Sequence, residues 1–218
     1  MIAFKFIIVA VISYLLGSLN FGVILSKGMK NEDVRDSGSG NAGTTNMMRT
    51  YGKTLGLLTI AGDILKVVLA IWLAFRIVSV EELKMTLDSA SDYPQVVLKS
   101  FAGLFAVLGH IFPCYFKFKG GKGVATSGGM VIAIDWRIAL ILLVIFALTI
   151  LITKYVSLGS ILMAIFYPVF IGIFYKDIIL VLIALVFTFI VVVAHRENVK
   201  RLINHTENKI GSKKKKKE

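Results

Sequence analysis

Long apolar runs separated by short polar loops make up almost the whole chain. Seven runs can be drawn, at about Phe6–Leu25, Leu55–Phe75, Val96–Phe116, Val124–Ile134, Ile138–Thr153, Tyr155–Phe174 and Ile178–Ala194. A helix rises about 1.5 Å per residue, so roughly 20 apolar residues cross the ~30 Å hydrocarbon core of a bilayer. Most runs are near that length, and Val124–Ile134 covers only about half of it. The pattern predicts an all-α, polytopic membrane helix bundle of seven transmembrane segments. The fourth is then a half-helix or re-entrant piece packed inside protein. Met1 and Lys5 ahead of the first run resemble a secretory signal, but the run is long and lacks a small-x-small cleavage site. It reads as an uncleaved span. The polar stretch Glu81–Tyr93 suits a short surface helix.

Composition agrees with the pattern. The 218 residues are 56% apolar and 17% charged, against about 45–50% and about 25% in soluble domains. Mean hydropathy is +0.80. The formal net charge of +12 is compatible with nucleic acid, anionic lipid or an anionic substrate. The basic residues sit on short loops between spans, which disfavours nucleic acid. Lone Cys114 excludes an intramolecular disulfide, and no Cys/His cluster has metal-site spacing, so no metal or other cofactor is expected.

Charge also orients the bundle. With the N-terminus outside and seven crossings, the inner loops hold Lys27, Lys30, Arg35, Arg49, Lys53, Lys117, Lys119, Lys122, Lys154, Arg196, Lys200, Arg201, Lys209 and the run Lys213–Lys217. The outer side keeps Lys5, Arg76, Lys84, Lys99, Arg137 and Lys176. Cytoplasmic loops carry such an excess of Lys and Arg, which places the C-terminus in the cytoplasm. Deleting the fourth crossing would put Lys154 and the lysine run outside.

Three polar stretches fall on the inner side. The first, Ser37–Asn46 followed by Arg49, combines glycines with hydroxyls, amides and an arginine. Such a loop can turn several N–H groups toward one anion, whereas a flexible linker needs no such donors. The second, Phe118–Thr126, places Lys119, Gly120, Gly121 and Lys122 at the start of the fourth segment. A helix N-terminus there presents unpaired N–H groups and a positive dipole end to phosphate; the alternative is a pair of interfacial lysines anchoring a helix end. Its spacing is not that of a Walker A loop. The third, His195, Asn198 and Arg201, repeats by three on what is expected to be a continuation of the last helix, so these side chains share one face. Asp63 and Lys66, inside the second run, can pair with each other; such charges mark either function or a structural ion pair. Ser157, in the turn Lys154–Ser157, reaches the same side. Two phosphate cradles at one membrane face suggest two phosphorylated substrates, or one substrate with a transferable phosphoryl-linked group.

At these stretches the chain resembles the bacterial acyl-phosphate-dependent glycerol-3-phosphate acyltransferases, the PlsY family. Gly38–Arg49 is similar to the family's GSGNxGxTNxxR, and Phe118–Thr126 to FKGGKGVAT after His110, Phe112 and Pro113. His195–Leu202 is similar to HRxNxxRL, and Tyr155–Leu158 also looks like the family's turn. Asn204–Glu207 departs slightly from it. The resemblance spans essentially the whole chain. It implies transfer of a fatty acyl group from acyl phosphate to the 1-hydroxyl of glycerol 3-phosphate, giving lysophosphatidic acid and inorganic phosphate in phospholipid biosynthesis. It also implies an upstream enzyme that makes the acyl phosphate, a bacterial plasma-membrane location and an active site facing the cytoplasm. On this reading Ser39, Ser157, His195 and Asn198 are catalytic. Gly40, Asn41, Gly43, Thr45, Asn46, Arg49, Lys119, Gly120, Gly121 and Lys122 bind phosphate. His195 either orients the hydroxyl or acts as base, or the departing phosphate takes the proton. Residues 1–210 form one transmembrane catalytic domain, and 211–218 a basic tail suited to membrane lipids.

Competing chemistries fail by absence. A His-x₄-Asp acyltransferase needs an acid five residues after a histidine, where this chain has Tyr115, Lys200 and Ile210. Metal-dependent phosphatidyl transferases need several intramembrane carboxylates, and Asp63 stands alone. A transporter of phosphorylated metabolites would place its helix breaks near the midplane in both halves of a repeat, and no repeat is visible.

Overall fold

Each apolar run forms helix, and the polar positions between runs decide where the helices stop. The computed structural model describes residues 2–87 and 90–210, and all regular structure among them is helical. The expected basic tail at 211–218 lies outside the described residues. Helices α1 (Ile2–Gly17) and α2 (Phe21–Lys30) divide one 29-residue apolar stretch at Ser18–Asn20. Asn20 causes the restart: its backbone is extended and its side chain accepts the Val23 N–H, an N-cap placed inside a span. The chain continues through α3 (Thr44–Tyr51), α4 (Lys53–Ile77), α5 (Val80–Leu87), α6 (Pro94–Ile111), α7 (Val124–Ile134), α8 (Trp136–Thr153), α9 (Val156–Tyr175), α10 (Ile178–Ala194) and α11 (Arg196–Ile203). Helix α5 occupies the loop expected to carry a surface helix.

Among the described residues five stretches are long and apolar enough to cross a membrane, or six if α10 and α11 form one bent span. Helix α7, with 11 residues, rises only about 16 Å. It packs between α4 and α6 rather than facing the outside alone, the setting in which a short intramembrane helix is tolerated. Helix α11 is not a straight continuation of α10. The axis turns by 61° at His195, whose N–H is shared between the Val191 and Val192 carbonyls in a tightened last turn. Polar α11 thereby leaves the apolar axis.

Helix α6 is the hub, packed against α1, α4, α7 and α10, while α8, α9 and α10 form consecutive antiparallel neighbours. Helices α1 and α6 cross with their backbones in contact. A Cβ on Gly17 would lie 2.0 Å from the Ala106 oxygen, and one on Gly109 2.1 Å from the Tyr14 oxygen. Small residues permit this approach in membrane bundles, where packing rather than water drives association. Outward faces expose Leu65, Trp72, Leu151, Ile152 and Phe189, an apolar surface suited to lipid. One end of the bundle is tied shut: Lys5 pairs with Glu82 at 2.6 Å, Ser91 bonds Asp177, and Tyr175 donates to Asp135 at 3.1 Å. The opposite end carries the three polar motifs.

Candidate active site

Arg35 braces that end. Its guanidinium donates to the carbonyls of Phe116 (3.0 Å) and Lys119 (2.9 Å) while Asp33 holds its other nitrogens. The first polar loop is therefore docked on the second. Across the site, the Ile210 N–H donates to the Lys154 carbonyl at 2.9 Å, fastening the chain after α11 to the turn before α9.

Within the first loop, buried Asn46 uses its amide internally. It accepts the Ser39 N–H at 2.8 Å and donates to the Val34 and Ser37 carbonyls at 2.9 Å each. Asn41 accepts the Gly43 N–H at 2.9 Å, and the Gly40 N–H turns back to Ser37. These two asparagines shape the loop. Ser39, Gly40, Thr45 and Arg49 are left exposed on its rim. Gly43 opens α3 with no side-chain cap.

The second loop folds back onto α6. The Gly120 N–H donates to Ile111 and the Gly121 N–H to His110. A Cβ on Gly120 would lie 2.0 Å from the His110 oxygen, and one on Gly121 2.1 Å from His110 Nε2. Only glycine fits at both positions. Their amides are committed to α6, so their contribution is to carry Lys122 and the start of α7 into the site. Lys119 stands exposed. From Lys122 to Thr126 the amides have no backbone acceptor among the described residues, and α7 has no side-chain cap. That is the donor array a helix N-terminus offers to an anion. Lys122 is half-buried, with no hydrogen-bond or ion-pair partner among the described residues. Burial pushes its ammonium down to about 8, Arg201 and Arg49 add to the effect, and Glu207 opposes it.

Behind the loops sits the third motif. His195 is buried with Nδ1 2.8 Å from the Val191 carbonyl. A carbonyl can only accept, so Nδ1 carries the proton and Nε2 of the neutral ring keeps its lone pair. Glu207 is the organiser that reading the sequence missed. Its carboxylate accepts from Ser157 (2.9 Å), Asn198 (2.8 Å) and Arg201 (2.7 Å). Partial burial opposes its charge, but bonds from Arg201, Asn198 and Ser157 outweigh that and hold its carboxyl below the usual range. The available signal was a lone carboxylate shortly after Arg201 in a basic segment. Among the described residues Asn198 Oδ1, Thr44 Oγ1, Thr126 Oγ1 and Ser127 Oγ are buried without a hydrogen-bond partner. Buried polar atoms are normally satisfied, so these four hold hydrogen-bonding capacity in reserve beside the motifs. Thus Lys122, Arg49, Arg201, Glu207, Asn198, Ser157 and His195 come together.

Asp63 and Lys66 do pair, at 2.8 Å, and His110 joins them with Nδ1 3.3 Å from Asp63 and 2.8 Å from the Lys66 ammonium.

Residues 7–205 match the family model described as glycerol-3-phosphate acyltransferase. The glycerol-3-phosphate acyltransferase of Clostridioides difficile (strain 630) is 42% identical over 214 residues, covering 97% of this chain and 98% of its own. That of Bacillus subtilis (strain 168) is 41% identical over 200 residues, covering 92% and 95%. The fold is similar to a crystal structure of PlsY (YgiH), an integral membrane glycerol 3-phosphate acyltransferase, in its glycerol 3-phosphate form. The TM-score is 0.81 at 34% identity, over 94% of this chain and 96% of that one. The lysophosphatidic acid form of the same protein gives 0.78 at 32% identity.

Proposed function

The chain belongs to the glycerol-3-phosphate acyltransferase family, and we propose that its acyl donor is an acyl phosphate and its acceptor the 1-hydroxyl of glycerol 3-phosphate. The observation that carries the reading is Lys122, a half-buried cation with no hydrogen-bond or ion-pair partner among the described residues, beside helix N-terminal amides that have no backbone acceptor there. Both substrates bring a phosphate, and the rim from Ser39 to Arg49 offers a second set of donors for it.

Acyl phosphate is a mixed anhydride whose leaving group needs no covalent enzyme nucleophile. The protein acts by holding the two substrates together and stabilising charge. The glycerol oxygen attacks the acyl carbon, the bond between that carbon and the phosphate oxygen breaks, and inorganic phosphate departs. Lys122 and the α7 amides counter the charge that gathers on the leaving phosphate. Asn198 Oδ1, without a hydrogen-bond partner among the described residues, accepts from the other hydroxyl of glycerol 3-phosphate. The proton of the attacking 1-hydroxyl has two acceptors, Nε2 of neutral His195 and the departing phosphate. The acyl chain lies along the apolar faces of the bundle, with lipid as its other neighbour.

The loop charges support seven crossings of a bacterial plasma membrane, with α7 an incomplete fourth segment. The N-terminus is outside, and the motif end faces the cytoplasm.

The test uses purified protein in detergent or lipid, without coenzyme A, carrier protein or metal. Palmitoyl phosphate and glycerol 3-phosphate are supplied, and inorganic phosphate and lysophosphatidic acid are followed together. Equal release of both is expected. Well-folded protein that makes no lysophosphatidic acid refutes the donor assignment.

A further inference from the structure

We propose that the buried Asp63–Lys66–His110 cluster is a positioning device that holds the two phosphate loops at a fixed separation from each other. The proposal rests on reading those loops as phosphate cradles. None of the three side chains reaches the rim: they are 1%, 3% and 2% exposed. An ion pair sealed inside a membrane protein adds little stability, since desolvation consumes most of the attraction. Its presence therefore calls for a geometric account.

The Lys66 ammonium supplies that account. The ammonium pairs with Asp63 Oδ1 at 2.8 Å, lies 2.8 Å from His110 Nδ1 and donates to the Leu19 carbonyl at 3.0 Å. Each of the last two leads to one loop. His110 Nδ1 faces both the Lys66 ammonium and Asp63 Oδ1, so its ring is held with Nε2 against Gly121, where a Cβ would have 2.1 Å. Its own carbonyl receives the Gly121 N–H. The ring is thus a spacer between α4 and the residue that precedes Lys122. On the other side, Leu19 lies in the break between α1 and α2, where a freed carbonyl needs a donor. Three residues on, Gly22 is pressed against the first loop, and a Cβ there would lie 1.9 Å from the Ala42 oxygen. The His110 ring and the Leu19 carbonyl contact one nitrogen, so their contacting atoms sit within about 6 Å of each other. The position of each loop is referred to the same point on α4. Asp63 fixes where on α4 the ammonium stays.

The experiment compares Lys66→Met and the charge-neutral double variant D63N/K66M with wild type in lipid nanodiscs, without substrate, by amide hydrogen exchange. Exchange at Gly120 and Gly121 and across residues 38–46 is expected to speed up together, by about tenfold or more, while α8 and α9 keep wild-type rates. KM values for glycerol 3-phosphate and the acyl donor rise together in the same variants. His110→Gln should loosen residues 118–123 and leave 38–46 at wild-type rates. The proposal is overturned if the double variant shows wild-type exchange in both loops, if only one loop loosens, or if protection falls evenly through all helices. Failure of the double variant to fold, with His110→Gln at wild-type exchange, overturns it too. Exchange is read without turnover, so a wild type that transfers no acyl group would sink the donor assignment and leave this result standing.

Discussion

Replace Lys122 by glutamine: the chain keeps most of its length and loses the ammonium. In the folded protein that ammonium sits at about 8 instead of the ordinary 10.5. A difference of about 2.5 units at ~1.4 kcal/mol each is a cost of about 3 kcal/mol for holding the charged form in place. The sign follows from which form is disfavoured. Folding favours the neutral amine, so the cost is full below pH about 8 and fades as pH rises toward 10.5. Lys122→Gln should therefore unfold at a higher temperature than wild type at pH 7 without substrate, by a few degrees or more. The gap should narrow by pH 9.5. Bound phosphate reverses the order, because the charge then has its partner, and the variant's KM for phosphate-bearing substrates should rise about a hundredfold. Thermal unfolding in detergent at both pH values, with and without acyl phosphate, and initial rates over a range of its concentration read all of this. If the empty variant is no more stable than wild type at pH 7, or the gap is the same at pH 9.5, the reasoning is wrong.

Wild-type KM for acyl phosphate should climb as pH passes through about 8, and Lys122→Arg, which stays charged, should flatten that climb in initial-rate measurements. Glu207→Gln weakens a charge-assisted bond to Arg201 and blurs the donors from Ser157 and Asn198; a loss of about 2–3 kcal/mol in stability and at least tenfold in kcat/KM is expected by denaturation and turnover. His195→Ala should cost about a hundredfold in kcat with little change in glycerol 3-phosphate binding, whereas a loss under about threefold would assign the proton to the departing phosphate. Gly109→Val should leave little folded protein on size-exclusion chromatography, since its side chain would meet the Tyr14 carbonyl of α1.

Apolar periodicity made the helices legible, including the shortness of α7, because hydropathy reports directly on burial in lipid. The break at Ser18–Asn20 was hidden inside one long apolar run; a single buried asparagine capping α2 leaves little trace in hydropathy. The bend at His195 was missed for a similar reason, since spacing by three fits a straight helix as well as a bent one. In the candidate site, residue types and glycines singled out loops that the fold brings to one end of the bundle, but not which of their groups turn inward. Asn46 and the Gly120 and Gly121 amides turn inward to build the loops, which depends on partners such as Val34 and Ile111 that carry no chemical signal. Glu207 was illegible because its importance comes from three donors distant in sequence. His110 was seen as a motif flank; its link to Lys66 exists only once α4 and α6 lie side by side.

Glu207 follows every helix among the described residues, and this has a consequence for synthesis. Domains tend to assemble from the N-terminus as the polypeptide emerges. The Lys122 loop, Arg49 and Ser157 are thus all in place before the carboxylate that gathers Ser157, Asn198 and Arg201 has been made. A nascent chain that stalls or is cut near Ile203 can insert all its apolar helices and still have no ordered site. Competence arrives only once Glu207 itself has been made, so a copy cut before it would occupy membrane without consuming activated acyl groups.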